Sequence, residues 1–144
     1  VMQGYWRKPE ATAHKLRPLA GESAKWLHTD DLFRIDADGF LYFVGRKDDI
    51  LKVGGNKVSP REIEEVLFQI DGVREAAVIG MPDANWGQAA KAHLVLSEGA
   101  VLTAEEVIRY CSARMRGFMV PKAVVFARAL PKTESGKIKK RELS

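Results

Sequence analysis

A short polar segment, Gly45-Arg46-Lys47-Asp48-Asp49, interrupts the chain between two strand-like apolar runs, and it decides most of what can fold here. Four charges in a row do not lie inside a core, so the segment is the natural place for a linker or hinge. On its N-terminal side, Pro9 to Leu16 suits a short helix with proline in its first turn. Leu16 to Glu22 holds Pro18 and Gly21 and is expected to be loop. Leu32-Phe33-Arg34-Ile35 and Phe40-Leu41-Tyr42-Phe43-Val44 flank the turn signal Asp36-Ala37-Asp38-Gly39, which predicts a hairpin. These first 44 residues carry too little periodic apolar sequence to close a core of their own. They are expected to be the last strands of a preceding domain, in a chain cut from something longer, since position 1 is not Met.

The sequence beyond the break is richer in signals. Ile50-Leu51-Lys52-Val53 and Lys57-Val58 flank Gly54-Gly55-Asn56, a second hairpin. Ser59, Pro60 and Glu62 are spaced as a capping box with proline at the first helical position, and Ile63, Val66, Leu67 and Ile70 follow on one helical face. Val73 to Ile79 and Ala92 to Leu96 read as strands. Thr103 and Glu106 repeat the capping spacing, and Ala104, Val107, Ile108, Cys111 and Met115 form a second apolar stripe. Val124 to Leu130 reads as a further strand, and helix-forming residues follow Gly136. The expected fold class is α+β: a small sheet with flanking amphipathic helices and a β-hairpin.

Composition excludes several classes. Hydrophobic residues at 46% and charged residues at 29% are globular proportions, and 144 residues suffice for a core. One cysteine, Cys111, rules out an intrachain disulfide framework; its place on the apolar stripe marks it as a core residue. This fits a reducing, cytoplasmic setting. No run approaches the roughly 20 apolar residues of a membrane span, and the N-terminus lacks signal-peptide features. The net charge is +4, but Met115 to Ser144 alone holds eight Lys/Arg against Glu134 and Glu142. Such an end is either a solvated surface or an attractor for anions, nucleic acid or phosphorylated small molecules among them. Aromatic residues are not interleaved with the basic ones, which disfavours a single-strand stacking platform.

The chemistry-bearing residues are sparse. Pro131-Lys132-Thr133-Glu134-Ser135-Gly136-Lys137-Ile138 is not a phosphate loop: no glycine stands five before Gly136, and Ile138 follows the lysine where Ser or Thr is needed. What remains is a lysine on a glycine-containing turn, able to deliver an ammonium to an anion. His14, His28 and His93 have no metal-ligand spacing, and no Gly-x-Ser-x-Gly elbow occurs. Asp30 and Asp31 are adjacent, and on a strand would point apart; one of them is either an exposed turn acid or an acceptor for a diol or ribose. From the residues alone, no complete active site emerges.

Taken in order, however, Gly4-Tyr5-Trp6, Pro9-Glu10-Ala11-Thr12, Trp26 to Leu32, Asp38 to Gly55, Val58-Ser59-Pro60-Arg61-Glu62-Ile63-Glu64 and Pro131 to Ile138 resemble the C-terminal part of adenylate-forming enzymes: acyl-CoA synthetases, adenylation domains of peptide synthetases and luciferases. The resemblance runs nearly end to end. It implies that residues 1–47 close a large N-terminal domain and that 48–144 form a mobile C-terminal domain hinged at Asp48. It implies activation of a carboxylic acid by ATP with Mg2+ to an acyl-adenylate, then transfer to a thiol. Lys137 resembles the adenylation lysine, Asp31 the acid holding the ribose hydroxyls, and Arg46 a second nucleotide contact. Lys52, Gly54, Gly55 and Lys57 resemble the loop of the thiol step, with Gly55 letting a pantetheine arm pass close to the backbone. Phe118 and Lys122 match CoA contacts of some ligases; a core aromatic is an equal reading of Phe118.

The Val58 to Glu64 motif looks most like the CoA ligases. The implied partners are therefore the chain's own N-terminal domain, a carboxylic acid and CoA, with no nucleic acid and no membrane span. A ligase loading carrier-protein phosphopantetheine is the near alternative, and a non-catalytic basic nucleic-acid-binding module the distant one. The phosphate loop and acyl pocket of the large domain are not in this sequence, so the chain alone is expected to form no adenylate. Two departures stand out. Most relatives have glycine where Asp30 stands, which raises the question of where its turn leaves Asp31. Gln88 stands where Glu is common, and sequence gives it no role.

Overall fold

Local turns build the first unit. In the computed structural model, which describes residues 2–143, helix α1 (Pro9–Lys15) starts on its proline. Thr12 ties the entry down: its hydroxyl donates to the Lys8 carbonyl and accepts from the Tyr5 amide, each at 2.9 Å. The expected loop after the helix is instead a pair of short antiparallel strands, β1 (Leu16–Pro18) and β2 (Lys25–Leu27). Pro18 is tolerated because it ends its strand, where a missing N–H costs little. Strands β3 (Asp31–Ile35) and β4 (Leu41–Arg46) form the predicted hairpin. The Asp36 carboxylate fixes its turn by accepting from the amides of Asp38 (3.0 Å) and Phe40 (2.9 Å). Strand β4 runs two residues past Val44, which sets Arg46 opposite Asp31. Within this unit Phe33, Ile35, Phe40 and Leu41 stay exposed, an apolar face without a cover of its own.

The contacts separate two units whose sequence boundary falls between Lys47 and Asp48, inside a single 3-10 turn (Lys47–Asp49). The second unit opens with the tight hairpin β5 (Leu51–Val53) and β6 (Asn56–Val58). Gly54 (φ 55°) and Gly55 (φ 82°) both sit in the left-handed region, as a two-residue turn that follows strand twist requires. Helix α2 (Pro60–Leu67) begins where expected, but the Ser59 side chain makes no capping bond. The Glu62 amide instead donates to the Ser59 carbonyl at 3.2 Å, and Pro60 at the first helical position leaves one fewer unpaired amide at this end. Helix α3 (Ala104–Ser112) does form the full box: Thr103 Oγ1 accepts from the Glu106 amide and the Glu106 carboxylate from the Thr103 amide. A cap of this kind is worth about 0.5–2 kcal/mol.

Strands β7 (Val73–Asp83) and β8 (Gly87–Leu96) are longer than predicted and make one antiparallel hairpin. Strand β9 (Ala123–Phe126) is shorter than predicted and lies parallel to β8, giving the order β7-β8-β9. Alternation along β7 and β8 divides the core. Ala76, Val78, Ala90, Ala92 and Leu94 join Ile63 and Leu67 of α2 and Val107 and Cys111 of α3. Ala77 and Val95 point the other way and pack with Leu130, Ile138 and Leu143. The final segment thus lies on the sheet face opposite the helices, and the helix-forming residues after Gly136 give only a 3-10 turn at Lys140–Glu142. Glu64 covers an open backbone group of the edge strand: its Oε1 accepts from the Val78 amide at 2.7 Å and from Lys140 Nζ at 2.6 Å.

Candidate functional site

In the first unit the hairpin register brings Asp31 and Arg46 together. Their side chains approach to 3.9 Å, and the Arg46 guanidinium also donates to the Thr29 carbonyl at 3.1 Å. A carboxylate with open lone pairs thus stands beside a fixed cation, suited to a vicinal diol on a phosphorylated molecule. Asp30 does not disturb this arrangement. It takes φ 63°, the left-handed conformation glycine adopts at no cost, and its carboxylate pairs with Lys15. That hydrogen bond holds the Asp30 carboxyl below its ordinary range. Asp30 and Asp31 therefore serve different partners.

In the second unit the lysine turn is closed by an unusual density of bonds. Lys132 and Ile138 form an antiparallel bridge. The Thr133 amide donates to the Lys137 carbonyl (2.8 Å), the Lys137 amide to Thr133 Oγ1 (3.1 Å), and the Gly136 amide to the Thr133 carbonyl (2.9 Å). Thr133 and Ser135 hydroxyls lie 2.9 Å apart. The small polar residues around Lys137 thus set its backbone. Neighbouring lysines are committed: Lys132 to Glu75, Lys139 to Glu142, Lys140 to Glu64. Lys137 is exposed and has no ion pair among the described residues.

Lys52 and Lys57 are direct cross-strand partners on the β5–β6 hairpin and both are exposed, while Leu51, Val53 and Val58 anchor it in the core. Like charges opposite one another are unfavourable by themselves and form a concentrated cationic patch. A Cβ built at Gly55 meets nothing within 4 Å, so the tip of the turn is open to an approaching chain. Phe118 packs against the main core. Lys122 edges a depression of about 350 Å³ that Trp86 and Val120 also line. Its ammonium is already held by Asp83 (2.6 Å) and lies 4.5 Å from the Trp86 ring centre, and it lowers the pKa of the Asp83 carboxyl. Asp48 is exposed at the start of the second unit.

Cys111 and His93 both lie in the interior. Cys111 is fully buried, and burial raises its thiol pKa, the opposite of an activated nucleophile. Burial pushes the His93 imidazole down, aided by Lys91, so it stays neutral. Among the described residues no group of His, Cys, Asp or Glu is placed to hold a metal, and no helix is long and apolar enough to cross a membrane. Three contacts had no sequence signal of their own: Glu64 to Val78, Glu64 to Lys140, and Gln88 Oε1, which accepts from the Lys52 amide at 2.8 Å.

Comparison with known proteins supplies the family. The family model described as AMP-binding enzyme C-terminal domain matches residues 62–137, just over half of the chain. Among curated proteins, the long-chain-fatty-acid–CoA ligase of Bacillus subtilis (strain 168) is 43% identical over 99% of this chain and 24% of its own length. A feruloyl-CoA synthase of Amycolatopsis sp is 41% identical over 99% of this chain and 28% of its length. The chain thus spans about a quarter of the length of these relatives. Among solved structures, the o-succinylbenzoate CoA synthetase (MenE) of Bacillus subtilis, in complex with the acyl-adenylate intermediate OSB-AMP, superposes with a TM-score of 0.89 at 32% identity, over 100% of this chain and 28% of that one. The amide bond synthetase McbA of Marinactinospora thermotolerans does so with a TM-score of 0.85 at 37% identity, over 99% and 28%. With the family model matched over more than half of its residues, this chain belongs to the AMP-binding enzyme C-terminal domain family.

Proposed function

We propose that this chain is the C-terminal part of a cytoplasmic acyl-CoA synthetase, and that it supplies one cation to each of two successive half-reactions. In the first, a carboxylate oxygen attacks the α-phosphorus of ATP, the bond to the β-phosphate breaks, and pyrophosphate leaves. Negative charge shifts among the phosphate oxygens as this happens, and a cation already in place lowers the barrier without reorganising water. Lys137 is that cation. The observation that carries the reading is its presentation: an exposed ammonium, without an ion pair among the described residues, on a turn whose backbone is bonded shut, among lysines that acids have neutralised. Asp31 accepts from the ribose hydroxyls and Arg46 steadies the nucleotide beside it. Mg2+ arrives with the ATP phosphates as part of the substrate.

In the second half-reaction the unit beginning at Asp48 turns about that residue and presents the β5–β6 hairpin. A thiol sulfur then attacks the acyl carbonyl, the carbon–oxygen bond to AMP breaks, and AMP departs. The open tip at Gly55 admits the pantetheine arm, and Lys52 and Lys57 offset its phosphate charge. Lys122 and Phe118 border the nucleotide end of CoA. The names of the curated relatives favour CoA as acceptor over a carrier-protein thiol. The nucleic-acid reading gains nothing from the final segment, because its lysines are largely paired within the chain.

The test is made in the full-length enzyme with both half-reactions assayed. Pyrophosphate release is followed across fatty, aryl and amino acids, and thioester formation from a presynthesised acyl-adenylate. Adenylation with one acid class and consumption of CoA are expected. Acylation of a carrier protein in place of CoA assigns the other acceptor. Gly55→Asn keeps the left-handed turn, which Asn tolerates, but fills the tip. It is expected to slow thioester formation about tenfold through misplacement of the thiol, with adenylation unchanged. Equal slowing of both steps overturns the role of the hairpin.

A further inference from the structure

A hairpin of two three-residue strands is too small to hold its own position, and the attachment of β5–β6 can be read bond by bond. Its apolar residues Leu51, Val53 and Val58 fix which face is buried, but apolar packing alone does not fix its height along the sheet. Two hydrogen bonds, to Trp86 just before β8 and to Gln88 within it, do. The Gly54 amide donates to the Trp86 carbonyl at 3.0 Å, and the Lys52 amide donates to the Gln88 side chain at 2.8 Å. The first is backbone to backbone and survives any side-chain change. The second depends on residue 88 alone.

We propose that Gln88 is a positioning residue for the transfer half-reaction: it sets the hairpin that carries Lys52, Gly55 and Lys57, and Gly80 exists to make room for it. This rests on the hairpin's proposed role in thiol transfer. Gln88 reaches Lys52 by lying across residue 80. A Cβ built at Gly80 would sit 2.6 Å from Gln88 Nε2 and 2.8 Å from its Cδ, distances no real Cβ adopts. It would also press on Leu51 Cδ2 at 3.0 Å, on the same hairpin strand. Gly80, Gln88 and β5 therefore form one three-layer fit, in which the Lys52 backbone is held while its side chain extends into solvent.

The chemistry of the side chain suits the place. Gln88 and Gly80 border a depression of about 240 Å³ also lined by Asp48, Asp49, Lys140 and Arg141. A neutral amide supplies the acceptor for Lys52 and does not itself titrate.

The experiment uses the full-length enzyme and both half-reaction assays, with residue-resolved amide exchange on this chain. Gln88→Ala is expected to slow thioester formation up to about tenfold, the worth of one neutral hydrogen bond, and to leave pyrophosphate release within about twofold. Exchange at the Lys52 amide should accelerate selectively. Gly80→Ala should reproduce the same split by displacing Gln88, and the double variant should be no slower than the worse single one, because both break the same contact. Gln88→Glu keeps an acceptor oxygen and should restore transfer. Equal slowing of both half-reactions by Gln88→Ala, no slowing of either, or additive effects in the double variant overturn the proposal. Gly55→Asn separates the two levels. If it slows transfer and Gln88→Ala does not, only the positioning role falls. If Gly55→Asn has no effect, the hairpin's role in transfer falls and this inference with it.

Discussion

Replacing Lys137 with alanine is expected to slow pyrophosphate release by about 10²–10³-fold, the usual cost of removing one preorganised charge-stabilising donor. Thioester formation from a presynthesised acyl-adenylate should stay within about twofold of the unaltered enzyme, since the charge that Lys137 meets has already left as pyrophosphate. The side chain is exposed and none of the bonds that close its turn uses its ammonium, so alanine removes charge without removing structure. Circular dichroism and melting temperature should not change. Equal adenylation by both proteins would sink the assignment of Lys137. Loss of both half-reactions with a native spectrum would place the lysine in a step common to the two.

Leu67→Ala should act in the opposite way, on the fold and not on one step. Leu67 is fully buried between α2 and the sheet, in a cluster with Ile63, Val78, Leu94 and Val107. Removing three buried carbons leaves a cavity that the neighbouring strands cannot collapse into, at a cost of about 2–5 kcal/mol. Urea unfolding followed by circular dichroism measures it. Val101→Ala, at a residue 88% exposed, is the control and should fall within about 0.5 kcal/mol of the parent. A Leu67→Ala cost no larger than that of Val101→Ala would mean that the helix–sheet packing does not hold the second unit together.

Much of this was legible in the residues themselves. The stripes Ile63-Val66-Leu67 and Val107-Cys111 name a face by their spacing, and the pair Gly54-Gly55 names a turn that few other residues allow. The lysine turn was visible as a glycine with small polar neighbours. What sequence could not supply was pairing at a distance. Leu16 to Pro18 read as loop because its partner, Lys25 to Leu27, carries no alternation to announce it. The Ser59 box failed although its spacing matched that at Thr103, because a box is decided by where a hydroxyl points and not by its position in the chain. Gln88 looked like the loss of a charge until the register of β7 and β8 set it across Gly80 and against Lys52. Asp30 looked like an obstacle to Asp31 until its dihedral angle showed that an aspartate had taken the shape of a glycine.

The two faces of the sheet are unequally held. The helices rest on the larger apolar cluster, whereas the segment that carries Lys137 is held by Leu130, Ile138 and Leu143 over Ala77 and Val95, with Lys132 and Lys140 as polar ties. Within this unit a patch that small is expected to open before the larger one on warming, leaving the β7–β8 ladder and both helices intact. Under the role proposed for Lys137, catalytic competence and foldedness are expected to have different thermal limits in this module. Gentle heating would yield a protein that is native to most spectroscopic probes and yet has let go of its lysine.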